Sequence, residues 1–155
     1  MQSIFKELIA TDVEAKNSEE VIRKVGKLFY DNGFVKDSYI DAVIKREKVY
    51  PTGLQLDGIA VAMPHTDPPH VNRSGVCVAK LKNPVTFQHM GAEDVSVQAE
   101  LIFMMAIQNP DEHMETLQKV LNVFQNVEIA QKFKNAKNND ELYEIALKYI
   151  GESEE

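Results

Sequence analysis

Residues 59–63, Ile-Ala-Val-Ala-Met, are apolar at every position, and so are residues 101–107 apart from the usual small variations in size. A third run, 76–81, is rich in valine. A strand that is wet on one side alternates apolar and polar residues, so runs apolar on both faces need cover on both. They are expected to be central strands of a sheet with helices on each side. Residues 85–87 are a candidate for a further short strand.

Helical patterns flank these runs. Asn17 can cap a first helix with Glu20 in the capping-box position, and Val21, Ile22, Val25, Leu28 and Phe29 then share one face. Asn32-Gly33 supplies a left-handed stop. A second helix is expected from about Asp37, with Ile40, Val43 and Ile44 inward, and must end before Pro51. A third opens after Pro110, with Asp111 as the expected cap and Met114, Leu117, Leu121 and Phe124 as its buried stripe. Two more cover 128–134 and 140–150, the last with Leu142, Ile145, Ala146 and Tyr149 inward, before a short acidic tail at 152–155. Helices, then strands, then helices read as a helix-covered sheet, α/β or α+β. With 155 residues, 44% hydrophobic, and no repeat or linker, a single domain over 1–155 is expected.

Composition narrows the function classes. A net charge of −7 without a basic stripe argues against nucleic acid as partner. No stretch of 18 uninterrupted apolar residues suggests a membrane span, and no secretory signal is evident, so a cytoplasmic location is expected. Cys77 is the only cysteine, which excludes an intrachain disulfide and a zinc site built on several thiolates; in a central strand it is expected to be buried and inert. No Gly-rich phosphate loop or nucleophile elbow is present. No cofactor and no metal are expected.

The segment that ends in chemistry is the run 59–63 followed by Pro64 and His65. Proline cannot extend a central ladder, so the chain must leave the sheet there and set His65 at a strand end, where ligands commonly bind. His113 falls in the first turn of the third helix, whose N-terminus carries partial positive charge and favours anions. Arg46 closes the second helix, and a guanidinium offers paired donors matched to phosphate oxygens. Thr52 adds a hydroxyl on the following loop. His65, Asp67 and His70 also spell H-x-D-x-x-H, a conceivable metal cluster, but Pro68-Pro69 interrupts it and the spacing matches no established metal motif. His89 is expected in a surface loop.

These pieces together resemble the enzyme IIA domains of the mannitol and fructose class of the bacterial sugar phosphotransferase system, above all its galactitol-specific branch. The run from Ile59 to His65 is similar to the family's phosphorylation motif of alanine, a hydrophobic residue, proline and histidine. Arg46-Glu47 with Thr52-Gly53 resembles its upstream segment, and Asn109 to His113 its second histidine. Pro64 to Asp67 with His70-Val71 points to the galactitol branch, although Thr66 stands where many members have glycine, and Asp57 where many have an apolar residue. The resemblance implies a mixed sheet sandwiched between helices. It implies that His65 accepts a phosphoryl group from the carrier HPr and passes it to a cysteine of a IIB partner, feeding sugar through membrane IIC. In that scheme His113 binds the phosphate and Arg46 supports it electrostatically.

Three expectations attach to the scheme. The N-terminus of the third helix should donate to the phosphate, and some acceptor should fix the tautomer of His65. Met63 and Val71 should form an apolar docking rim. The rival readings are a regulatory member of the family, a metal-dependent hydrolase using His65, Asp67, His70 and His113, and a ligand-binding module whose histidines are structural.

Overall fold

The computed structural model of the chain describes residues 3–151; the acidic tail at 152–155 lies outside them. The described residues form one mixed sheet between two helical layers, an α/β fold in a single domain. In chain order they are β1 (Ile4–Val13), α1 (Ser18–Asp31), α2 (Tyr39–Val49), β2 (Gly53–Leu56), β3 (Ile59–Ala62), β4 (Gly75–His89), β5 (Ala92–Ala106), α3 (Pro110–Phe124), α4 (Val127–Lys134) and α5 (Asn139–Ala146). β4 pairs in parallel with β1 and antiparallel with β5. β5 runs parallel to β3, and β3 antiparallel to β2. Gly53 of β2 also bridges His89 of β4.

The apolar runs are buried on both faces because their alternate residues enter different cores. Ala60, Ala62, Cys77, Ala79, Ile102 and Met104 face α1 and α2. Val61, Met63, Val76, Val78, Leu101, Phe103 and Met105 face the layer of α3, α4 and α5. Period-two alternation thus sends successive residues of each run into the two cores in turn. The bulky side is anchored by Phe103, Phe124 and Phe133, whose ring centroids lie 5.0–5.8 Å apart.

Most helix boundaries follow the sequence pattern. Asn17 accepts the Glu20 N–H at 2.9 Å, and Gly33 turns the chain with φ of 78° after α1. In α3, however, Asn109 and not Asp111 is the cap, accepting the amides of Asp111 and Glu112, with Pro110 in the first turn. The buried stripe is Thr116, Val120, Val123 and Phe124. Met114 is 62% exposed, and Leu117 and Leu121 only flank the core. In α2 it is Tyr39, Val43 and Ile44 that are buried, while Ile40 is partly so. After α5 the chain widens into a π-type turn over Leu147–Gly151.

Several strands exceed or escape the expected runs. β1 and β2 were not expected. β4 joins the 76–81 and 85–87 runs across an irregularity in its pairing with β5, and His89 closes this strand rather than sitting in a loop. β5 reaches back to Ala92, with its outer half alternating at Val97, Gln98 and Ala99. Cys77 is fully buried as expected, and burial pushes its thiol well up from the ordinary range.

Candidate active site at the end of β3

Three chain segments bring the site residues to one edge of the sheet. β3 stops at Ala62, but its path along β5 continues for three more residues. The Met105 N–H donates to the Pro64 carbonyl at 3.1 Å, and His65 bridges to Met105 in parallel register. Met105 is itself held from the other side, because the buried Tyr39 hydroxyl donates to its carbonyl at 2.6 Å. α3 begins shortly after β5 ends, so its first turn opens beside the same strand ends and carries His113 there. α2 supplies Arg46 from its last turn. Tyr39→Phe should therefore loosen the floor of the site as well as the core. Losing this buried hydrogen bond is expected to cost about 1–2 kcal/mol, read from the shift of the urea unfolding midpoint.

His65 and His113 face each other with ring centroids 4.7 Å apart and planes inclined by 53°. They line an open cleft of about 300 Å³ with Arg46, Thr66, Asp67, Pro68, Pro110 and Met114. His65 Nδ1 lies 2.8 Å from the Met63 carbonyl oxygen. A carbonyl only accepts, so Nδ1 carries the proton and Nε2 keeps the lone pair. The acceptor that fixes the tautomer is thus a main-chain group two residues upstream, which no side-chain motif reveals.

Both imidazoles are held neutral at pH 7. Burial lowers the pKa of His65; the Met63 carbonyl opposes this, Arg46 adds to it, and Asp67 opposes it. Burial, then His65, then Arg46 push His113 down to about 4. The site therefore offers one nucleophilic nitrogen, one neutral N–H donor and one permanent cation. The cation is sparsely partnered. Arg46 Nη1 stands 3.9 Å from Asp67 and the guanidinium lies over the Tyr50 ring at 5.1 Å, but Nε is buried and hydrogen-bonds nothing.

Two expectations need correction, and a reading set aside in the sequence can be located. The first-turn amides of α3 are not free to bind an anion, since Asn109 takes those of Asp111 and Glu112 through its side chain and that of His113 through its carbonyl. What the helix presents is the His113 side chain. Met63 and Val71 are only 1% and 5% exposed and cannot form a rim; Met63 continues the face of Ile59 and Val61 into the core. The exposed apolar residues beside the site are Met114, Tyr50 and Val49. The H-x-D-x-x-H cluster is not gathered either. His70 is turned to Ser38, with Nδ1 2.8 Å from its hydroxyl, and among the described residues no group of three or more His, Cys, Asp or Glu is placed to hold a metal ion.

The family described as "Phosphoenolpyruvate-dependent sugar phosphotransferase system, EIIA 2" matches residues 2–149. The chain belongs to this family. It is a phosphotransferase component of the sugar phosphotransferase system, of the kind that carries a phosphohistidine. It is 26% identical over 147 residues to the galactitol-specific EIIA component of Escherichia coli K12, covering 95% of this chain and 97% of that one. It is 30% identical over 148 residues to the mannitol-specific IIA component of Geobacillus stearothermophilus, covering 94% and 95%. Its structure matches the mannitol enzyme IIA of Escherichia coli, solved in complex with phosphorylated enzyme IIB, with a TM-score of 0.77 at 25% identity over 94% and 97% of the two chains. Among the described residues no helix is long and apolar enough to cross a membrane.

Proposed function

We propose that His65 is the phosphorylated residue of this EIIA protein, that it takes the phosphoryl group on Nε2 from phosphorylated HPr, and that it delivers it to a cysteine of a cognate IIB. The observation that carries this reading is the hydrogen bond from His65 Nδ1 to the Met63 carbonyl, which leaves Nε2 as the nucleophile inside a cleft shared with His113 and Arg46. In the first step the Nε2 lone pair forms the new N–P bond while the N–P bond of the donor histidine breaks and that nitrogen keeps the electron pair. In the second step a thiolate forms an S–P bond and Nε2 leaves with its electrons.

Phosphoryl transfer proceeds through a loose transition state in which charge sits on the equatorial oxygens, so positioning and charge stabilisation dominate. Arg46 supplies the positive charge, and its unpartnered Nε–H is a donor still to be satisfied. His113, neutral at pH 7, supplies an N–H. The cleft is open, and Met114 and Tyr50, each 62% exposed, stand beside it where an incoming protein surface can cover them. The named relatives favour a hexitol, galactitol first, as the sugar taken up through membrane IIC, with the EIIA protein in the cytoplasm. No sugar contact is required of this chain, since phosphate alone passes through it.

The test is incubation with phosphoenolpyruvate, enzyme I and HPr, followed by intact-mass measurement. The expected result is a gain of one phosphoryl group, lost in acid, with the ³¹P and ¹⁵N signals of an Nε2-phosphohistidine at His65. No mass gain, or a label mapped to another residue, would sink the proposal.

A further inference from the structure

The hydrogen bond that sets the tautomer of His65 is not isolated. Met63, whose carbonyl receives the ring proton, lies just beyond the last residue of β3 paired with β2, the couple Ala62 and Gly53. At Met63 the antiparallel ladder has ended, and its N–H is taken by a side chain instead: it donates to the Thr52 hydroxyl oxygen at 3.1 Å. That hydroxyl donates in turn to Glu47 Oε1 at 2.8 Å, while the main-chain N–H of Thr52 donates to Oε2 at 2.8 Å. One carboxylate therefore grips both donors of Thr52 and settles which way the hydroxyl points. A hydroxyl has a single hydrogen, so giving it to Glu47 turns an oxygen lone pair to Met63.

Glu47 has no other evident reason to be there. It is partly buried and forms no ion pair among the described residues, and burial raises its pKa to about 7 against the lowering effect of both Thr52 bonds. Its neighbour Arg46 cannot neutralise it, because adjacent helical residues point in different directions: Arg46 lines the cleft, and Glu47 reaches back to Thr52. A partly buried acid with a raised pKa, linked through Thr52 and Met63 to the ring of His65, is a recognised mark of a functional site. The strand start is equally constrained. A Cβ on Gly53 would come within 2.6 Å of the Gln88 carbonyl and 2.7 Å of Val97, so only glycine lets the chain pass there and place Thr52 opposite Met63.

We propose that Glu47 and Thr52 are positioning residues for the phosphoryl-accepting histidine: the carboxylate orients the Thr52 hydroxyl, the hydroxyl pins Met63, and the pinned carbonyl holds His65 in the tautomer whose Nε2 is free. The inference rests on the assignment of His65 as the acceptor, but its first readout does not depend on transfer. Ring ¹⁵N shifts of His65 in the unphosphorylated protein report the tautomer directly. Thr52→Val keeps the shape and deletes the hydroxyl, Thr52→Ser keeps the hydroxyl, and Glu47→Gln keeps the volume and deletes the second acceptor oxygen.

In Thr52→Val and in Glu47→Gln the His65 signals should move from a single Nδ1–H form towards a mixture, with phosphoryl uptake slowed roughly tenfold. Thr52→Ser should restore both. If Thr52→Val does not fold, Glu47→Gln and Thr52→Ser decide. An unchanged Nδ1–H tautomer in a folded Thr52→Val or Glu47→Gln protein overturns the proposal, even if uptake falls, because that pattern marks a merely structural role. A tautomer lost in Thr52→Ser overturns it as well. If the wild type accepts no phosphoryl group, the functional assignment fails, while the ¹⁵N result still decides the positioning role.

Discussion

His65→Gln should abolish phosphoryl uptake, with no acid-labile mass gain after incubation with phosphoenolpyruvate, enzyme I and HPr, whereas His113→Gln should slow uptake without abolishing it. The asymmetry follows from how the two rings are held. Only His65 has a ring nitrogen locked to a main-chain acceptor, at 2.8 Å, and sits on a backbone pinned to β5 through Pro64 and Met105. His113 rides on the first turn of α3, half-buried against the cleft, and its pKa of about 4 makes it a weak base. Low basicity suits a neutral N–H donor better than a nucleophile. Glutamine is an informative replacement at 65, since its amide reaches the position of Nε2 but offers no nucleophilic lone pair there. Both variants should unfold within about 1 kcal/mol of the wild type, because each changes a partly exposed polar side chain. Label appearing in His65→Gln but not in His113→Gln would reverse the two roles.

The sheet was legible because Ile59, Ala60, Val61 and Ala62 leave no polar residue to face water, and the same holds along the inner half of β5. β1 was not, because its pairing with β4 slips between Ile4 and Ile9 and again between Ala10 and Val13, and Asp12 takes a φ of 54°. Those irregularities break the period-two alternation on which a strand is recognised. β2 is four residues long, with only Gly53 buried, and gives almost no pattern. In the site, His65, His113 and Arg46 were visible as residue types at telling places, and the structure brings all three to one cleft. The Met63 carbonyl was not visible, being backbone. The inward placement of Met63 was readable in principle: parity along the strand sets it on the face of Ile59 and Val61, and in a strand covered on both sides neither parity offers a rim. The cap at Asn109 was also within reach, since Pro110 is favoured at the first helical position and not before the cap.

Arg46→Ala should slow phosphoryl uptake by roughly 10²-fold or more, the usual consequence of deleting a group that meets developing phosphoryl charge, and should leave stability nearly unchanged. Little in the resting protein depends on this guanidinium. Its contact with Asp67 is 3.9 Å long with the Asp67 side chain 74% exposed, and surface pairs of this kind contribute about 0–1 kcal/mol. Its stacking on the exposed Tyr50 adds on the order of 0.5–1 kcal/mol. Against these stands a buried Nε–H without an acceptor, a group that costs about 1–3 kcal/mol when left unmade. The terms offset, so the unfolding midpoint should shift little. The histidines supply an independent reading. Arg46 is among the causes that lower both of their pKa values, after burial in each case, so its removal should move both titrations upward, though not fully to 6.5, because burial remains. Arg46→Lys keeps the charge but not the fork of donors, and should recover the titrations more completely than the transfer rate. Full transfer in Arg46→Ala would mean that the charge of the phosphoryl group is met elsewhere. A large loss of stability would mean that the arginine is held for the fold, and the unpartnered Nε would then have to be explained by packing of its stem.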